Sequence, residues 1–96
     1  MVQFDGFDWD DGNWPKCGKH GVSRQEIEDA FGQPDVLVLR DAAHDGGEDR
    51  FLLILRGAGD HHGLFVGFTF RHRDLRRLIR PLTARYMHRK EVDAYE

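Results

Sequence analysis

The chain has 96 residues, 40% of them hydrophobic and 32% charged, and its formal net charge is −3. That size predicts one domain, residues 1–96, with a core that needs no covalent staples. The single cysteine excludes an internal disulfide, no apolar run is long enough for a membrane-spanning helix, and the acidic start "MVQFDGFDWDD" is not an export signal, so a cytoplasmic protein is expected.

The small net charge conceals an asymmetry. Residues 1–69 hold 6 Lys and Arg against 13 Asp and Glu, and residues 70–96 hold 8 against 4. The balances are −7 and +4. A basic final third suggests an anionic partner for that part, with a solvated face neutralised by the acidic half as the alternative.

In chain order, residues 4–9 read as a short strand. Residues 10–20 contain Gly12, Pro15 and Gly18, which permit a turn or two of helix at most. Ser23 is an N-cap, with Glu26 three residues on in the capping-box position. A helix follows over "RQEIEDAF". Its Ile27, Ala30 and Phe31 share a face, and Gly32 and Pro34 end it. Strands are predicted at 35–39 and 50–55, the second apolar on both faces as a central strand would be.

In residues 64–71, Leu64, Val66, Phe68 and Phe70 alternate with Phe65, Gly67, Thr69 and Arg71 across the two faces. The glycine-rich "GAGDHHG" before it reads as a hairpin connection. One more strand is expected at 75–82, with Leu78, Arg80 and Leu82 on one face and Arg77, Ile79 and Pro81 on the other. Pro81 belongs at an edge or at the strand's end, because it cannot donate to a ladder. Thr83 then reads as the N-cap of a last helix, "ARYMHRKEVDAY", with Ala84, Met87, Val92 and Tyr95 on one side. The outline is α+β: N-terminal helices, an antiparallel sheet of four to five strands, and a C-terminal helix packed against it.

Several residue sets could carry chemistry. Cys17 and His20 have the spacing of one half of a zinc site, but no second pair matches it, and a buried apolar role for Cys17 is the simpler reading. A thiol nucleophile would need an orienting third group that cannot be named. The basic set is more informative. Lys19 and His20 precede Gly21, which permits a tight turn. Arg71 ends one strand and Arg80 lies on the next. Arg85 and Arg89 are i, i+4 neighbours on the expected last helix, with Arg77 nearby. Phosphodiester cleavage needs positive charge where the phosphate gathers negative charge, and a group, most often histidine, to move a proton. RNA brings its own nucleophile, the 2′-OH, so no metal or cofactor is expected. His88 and Glu91 fall inside the apolar arc of the last helix. They read as an inward i, i+3 pair or as further proton-transfer candidates.

Four stretches, "WDDGNWPKCGKHGVS", "DAAHDGGEDRFLLI", "LFVGFT" and "LIRPLTARYMHRKEVDAYE", together resemble the BrnT family of bacterial type II toxins. The resemblance runs from about Phe7 to Glu96. Its specific parts are Trp9-Asp10 through Lys19-His20-Gly21 and Ile79-Arg80 through Tyr95-Glu96. It implies a fold similar to RelE-type ribonucleases, metal-independent RNA cleavage that inhibits translation, and a BrnA-like ribbon-helix-helix antitoxin through which alone DNA would be met. Lys19 and His20 match the first motif, Arg80 and Arg85 the basic positions of the last, and Glu48 and Arg50 the central "E-x-R-F" stretch. The expected catalytic set is therefore His20, Arg80, Arg85, His88 and Glu91, with Lys19, Arg71, Arg77 and Arg89 on RNA. The rival reading is a non-catalytic partner of an antitoxin or other acidic protein. A DNA-binding module is disfavoured, because no helix-turn-helix spacing stands out.

Overall fold

The computed structural model describes residues 3–41, 49–56 and 63–87. The elements run β1 (Gly6–Phe7), α1 (Trp14–Gly18), α2 (Arg24–Ala30), β2 (Val36–Arg40), β3 (Phe51–Leu55), β4 (Gly63–Arg73) and β5 (Arg76–Met87). The strands form one sheet in the order β1-β5-β4-β3-β2. This is a mixed α+β fold in which, among the described residues, both helices come ahead of the long strands.

Local signals explain α2. Ser23 sits in extended backbone, and its Oγ accepts the Glu26 N–H at 3.1 Å. Ile27, Ala30 and Phe31 are buried as the spacing requires. They pack, with Cys17 of α1 and Val22, on Leu53, Leu64, Val66, Phe68, Ile79 and Ala84 of the sheet. Phe31 meets Phe68 edge-on at 4.9 Å, and Phe4 and Phe7 extend the aromatic contact from the N-terminus. Burying each such side chain stabilises by about 1.5–3 kcal/mol. A smaller cluster of Ile54, Met87, Leu37 and Phe65 lies on the opposite face.

Three expectations are corrected. First, the sheet is not wholly antiparallel. β1 runs parallel to β5, Gly6 opposite Leu78 and Phe7 opposite Ile79. A parallel pair needs a long crossover, and here everything between residues 7 and 76 supplies it.

Second, Thr83 does not start a helix. Residues 83–87 continue β5, pairing with Gly63–Gly67 of β4. Ala84 is buried in the main core and Met87 in the smaller cluster, so the two lie on opposite faces of a strand rather than one side of a helix. A ladder with burial on both faces outweighs the local helix preference of "ARYM". The remainder of the expected helix, with His88, Arg89 and Glu91, lies outside the described residues.

Third, β5 runs on past Pro81, which takes the edge position expected of it and not the strand's end. Gly67 pairs with Thr83 and Phe68 with Pro81, so Leu82 is the extra residue of a β-bulge. The O atoms of Arg77 and Ile79 accept the Asp5 and Asp8 N–H groups on the β1 side. Pro81, two residues on, addresses that same side beyond the end of β1. Its missing N–H therefore costs no β4–β5 bond.

The bulge also sets which arginines share a face. In β4 the odd residues Phe65 to Arg73 turn away from the helices. Their partners across the ladder are Arg85, Thr83, Arg80, Leu78 and Arg76. Of the six arginines in β4 and β5, Arg71, Arg73, Arg76, Arg80 and Arg85 therefore share the helix-free face, and only Arg77 is on the other.

Candidate functional site

A cleft of about 380 Å³ opens where α1 meets the β5 bulge. Gly12, Asn13, Lys16, Lys19, His20, Arg50, Leu82 and Thr83 line it. Asn13 builds its floor. Its side chain is 1% exposed. Its Nδ2 donates to the Asp8 and Pro81 carbonyls at 2.9 and 2.8 Å, and its Oδ1 accepts the Asp10 N–H at 2.8 Å. The segment that carries α1 is thereby fixed to the bulged strand. Pro15 starts the helix within its first turn, where an N–H is dispensable. Gly21, at φ 84°, closes the turn that follows. Lys16, Lys19 and His20 are left exposed on the cleft side.

Arg50 enters from just before β3. Its guanidinium lies over Gly67, where a Cβ would meet Arg50 Nη2 at 3.6 Å and Thr83 Cγ2 at 3.0 Å. The Arg50 Nε is shielded from solvent and has no hydrogen-bond partner. Among the described residues, Lys16, Lys19, His20 and Arg50 form no ion pair with any carboxylate. Three fixed positive charges and a histidine thus face one space without local neutralisation. Such a site attracts an anion and favours charge that builds up on it.

Arg80 has a different setting. Its side chain is 12% exposed and is gripped by two carboxylates: Nη1 lies 3.2 Å from Asp8 Oδ2 and 3.0 Å from Asp10 Oδ2, and Nη2 lies 3.0 Å from Asp10 Oδ1. Hydrogen bonds from Arg80 and from the Gly12 N–H hold the Asp10 carboxyl below its ordinary pKa. Arg80 borders the cleft only behind Gly12, whose Cβ would meet its Nη2 at 3.1 Å. It fastens the N-terminal segment to β5 and is not offered to a ligand.

The other expected site residues are scattered. Lys19 and His20 do share the cleft. Arg71 and Arg85 are on the helix-free face, Arg71 opposite Leu78 and Arg85 with its guanidinium 4.8 Å from the Phe65 ring centre. Arg77 is on the helix face, 3.8 Å over the Phe70 ring. None of these three lines the cleft. Lys16 and Arg50 join it without having been singled out as site residues. Lys16 could have been found from its place one turn before Lys19, whereas Arg50 was marked only by its match to the "E-x-R-F" stretch. Cys17 is fully buried, as the apolar reading of it expects, and burial pushes its thiol up to about 11. Among the described residues, no three His, Cys, Asp or Glu side chains gather to hold a metal, and no helix is long and apolar enough to cross a membrane.

Comparison with known proteins gives one family. The model of the ribonuclease toxin BrnT, of type II toxin–antitoxin systems, matches residues 9–91. A search of curated proteins finds no match.

Proposed function

Since the chain belongs to the BrnT family of ribonuclease toxins of type II toxin–antitoxin systems, we propose that it is an endoribonuclease that cuts RNA in the cleft between α1 and the β5 bulge. The observation that carries this reading is the convergence of Lys16, Lys19, His20 and Arg50 on one space where, among the described residues, no carboxylate pairs with them. A scissile phosphate in that space is held by the Arg50 guanidinium, a planar donor suited to phosphate oxygens, and by the two ammonium groups. The same three cations stabilise the extra negative charge of the pentavalent transition state. His20 accepts the proton of the neighbouring 2′-OH, and O2′ attacks phosphorus. The P–O5′ bond breaks, leaving a 2′,3′-cyclic phosphate on one strand. On the other, O5′ takes a proton from solvent at the open side of the cleft. No step requires a metal.

Cleavage of this kind inhibits translation in the cytoplasm. The partner that restrains it is an antitoxin, in this reading a BrnA-like protein with a ribbon-helix-helix part that makes the contact with DNA. Arg80 acts as a positioning residue, because it holds the segment on which Lys16, Lys19 and His20 are mounted.

The test is cleavage of a labelled RNA by the purified chain. Cyclic-phosphate ends should form at the same rate with and without chelator. His20→Ala should lower the rate by about 100-fold or more, the usual size of a lost proton-transfer group, with an unchanged melting temperature. Rates that collapse in chelator would reject the metal-free chemistry. RNA left intact by a folded chain that still binds its antitoxin would favour the non-catalytic reading.

A further inference from the structure

The turn joining β4 to β5 breaks three local rules within four residues. Asp74 and Leu75 have φ of 49° and 65°, a region that glycine and asparagine occupy readily and leucine rarely does. The Leu75 side chain is wholly exposed. Arg73 and Arg76 stand directly opposite each other across the ladder, both exposed, where like charges repel. Strained backbone and an exposed apolar side chain of this kind concentrate at functional positions.

The turn is also continuous with the cleft. Arg50 and Thr83 of the cleft and Arg80, Arg71, Arg73 and Arg76 all lie on the helix-free face of the sheet. Among the described residues, Asp8 is held by Arg80 and by Arg73, the latter at 3.5 Å, Asp10 is held by Arg80, and Asp74 lies in the turn itself. From Thr83 to Arg76 the strand advances about 20 Å. That is about six phosphates of a stacked single strand at 3.4 Å each, and fewer if the strand is extended.

We propose that this face is a second RNA-binding segment: a strand whose scissile phosphate lies in the cleft continues along β5 to the Arg73–Arg76 pair, with Leu75 packing against a base at its far end. The inference rests on the proposed ribonuclease reading and deepens it. The substrate is then single-stranded RNA long enough to reach from cleft to turn, and affinity grows with length until the turn is met. Arg73 and Arg76 supply phosphate contacts, and Leu75 supplies the apolar surface that a base can cover, without sequence readout.

The experiment measures binding of fluorescent RNA strands of about four and about twelve nucleotides, each with a 2′-deoxy sugar at the cleavable position so that cleavage does not intervene. Wild type should prefer the long strand by at least tenfold. In Arg73→Gln with Arg76→Gln that preference should collapse towards parity, and the salt slope of long-strand binding should fall by about 1.4, two phosphate contacts at 0.7 each. Leu75→Gly guards against a folding artefact. It relieves the backbone at φ 65°, so the melting temperature should rise while long-strand affinity falls. An unchanged length preference in both variants would overturn the proposal. So would loss of antitoxin binding with RNA affinity intact, which would give the turn to a protein partner. Failure of the ribonuclease reading is seen separately, as absence of cleavage of all-ribose RNA by wild type.

Discussion

Two groups of cations lie within a few residues of each other around α1, and they have opposite fates. Arg80 is largely covered and held by Asp8 and Asp10, and its charge is spent on holding the N-terminal segment to β5. Lys16, Lys19 and Arg50 line the neighbouring cleft, and among the described residues no carboxylate pairs with them. A basic residue becomes available to a ligand only where the fold withholds its counter-charge. Arg80 meets acids about 70 positions away in the chain, so nothing in its own neighbourhood announces that it is already engaged.

The contrast breaks most sharply if Arg50→Ala and Arg80→Ala fail in the same way. Arg50→Ala should cut the cleavage rate by about 100-fold, the size of a lost transition-state donor. Stability should stay within about 0.5 kcal/mol in a denaturant titration. Arg80→Ala should instead lower stability by about 3 kcal/mol, because it leaves the buried Asp8 carboxylate without its main partner. Loss of activity in that variant should follow loss of the fold. If Arg80→Ala were stable and inactive, Arg80 would belong to the catalytic group after all.

A smaller effect is expected at the joint between the two groups. Asn13→Ala removes three hydrogen bonds from a buried side chain. It should cost about 2 kcal/mol by thermal unfolding and should also weaken RNA binding, since α1 carries the lysines.

The acid limb of the stability curve sharpens the comparison further. The folded-state pKa of Asp10 is held below its ordinary 3.8, chiefly by Arg80. Its contribution is therefore complete above that value and disappears as pH falls through the lowered one. Asp10→Asn should be less stable than wild type near neutrality, and the two curves should converge in strong acid. The smallest effect concerns Cys17. With its thiol pushed up to about 11 and wholly buried, it should resist thiol reagents in the native protein and react at the ordinary rate in denaturant.

What could be read in the sequence was what depends on near neighbours. The Ser23 cap, the Ile27–Ala30–Phe31 face and the alternation of β4 all appear in the structure as their spacing implies. Lys19 and His20, carried on one short turn, were legible for the same reason. The rest depended on distant pairing. Thr83 has the chemistry of a helix cap, yet β4 draws residues 83–87 into its ladder. The alternation expected around Arg80 was right as far as Pro81 and then failed at Leu82, because nothing local marks which residue a strand will skip. Arg50 reaches the cleft only because Gly67, on another strand, leaves it room.

The skipped residue Leu82 has an evolutionary corollary. Losing that one codon would restore a regular ladder and leave each later residue opposite its present neighbour, Thr83 on Gly67, Ala84 on Val66 and Arg85 on Phe65. Ala84 would still face inward and Arg85 outward. What would go is the local bend and the side chain that Leu82 adds to the cleft wall. A descendant shortened here should therefore keep the fold and lose the shape of its cleft.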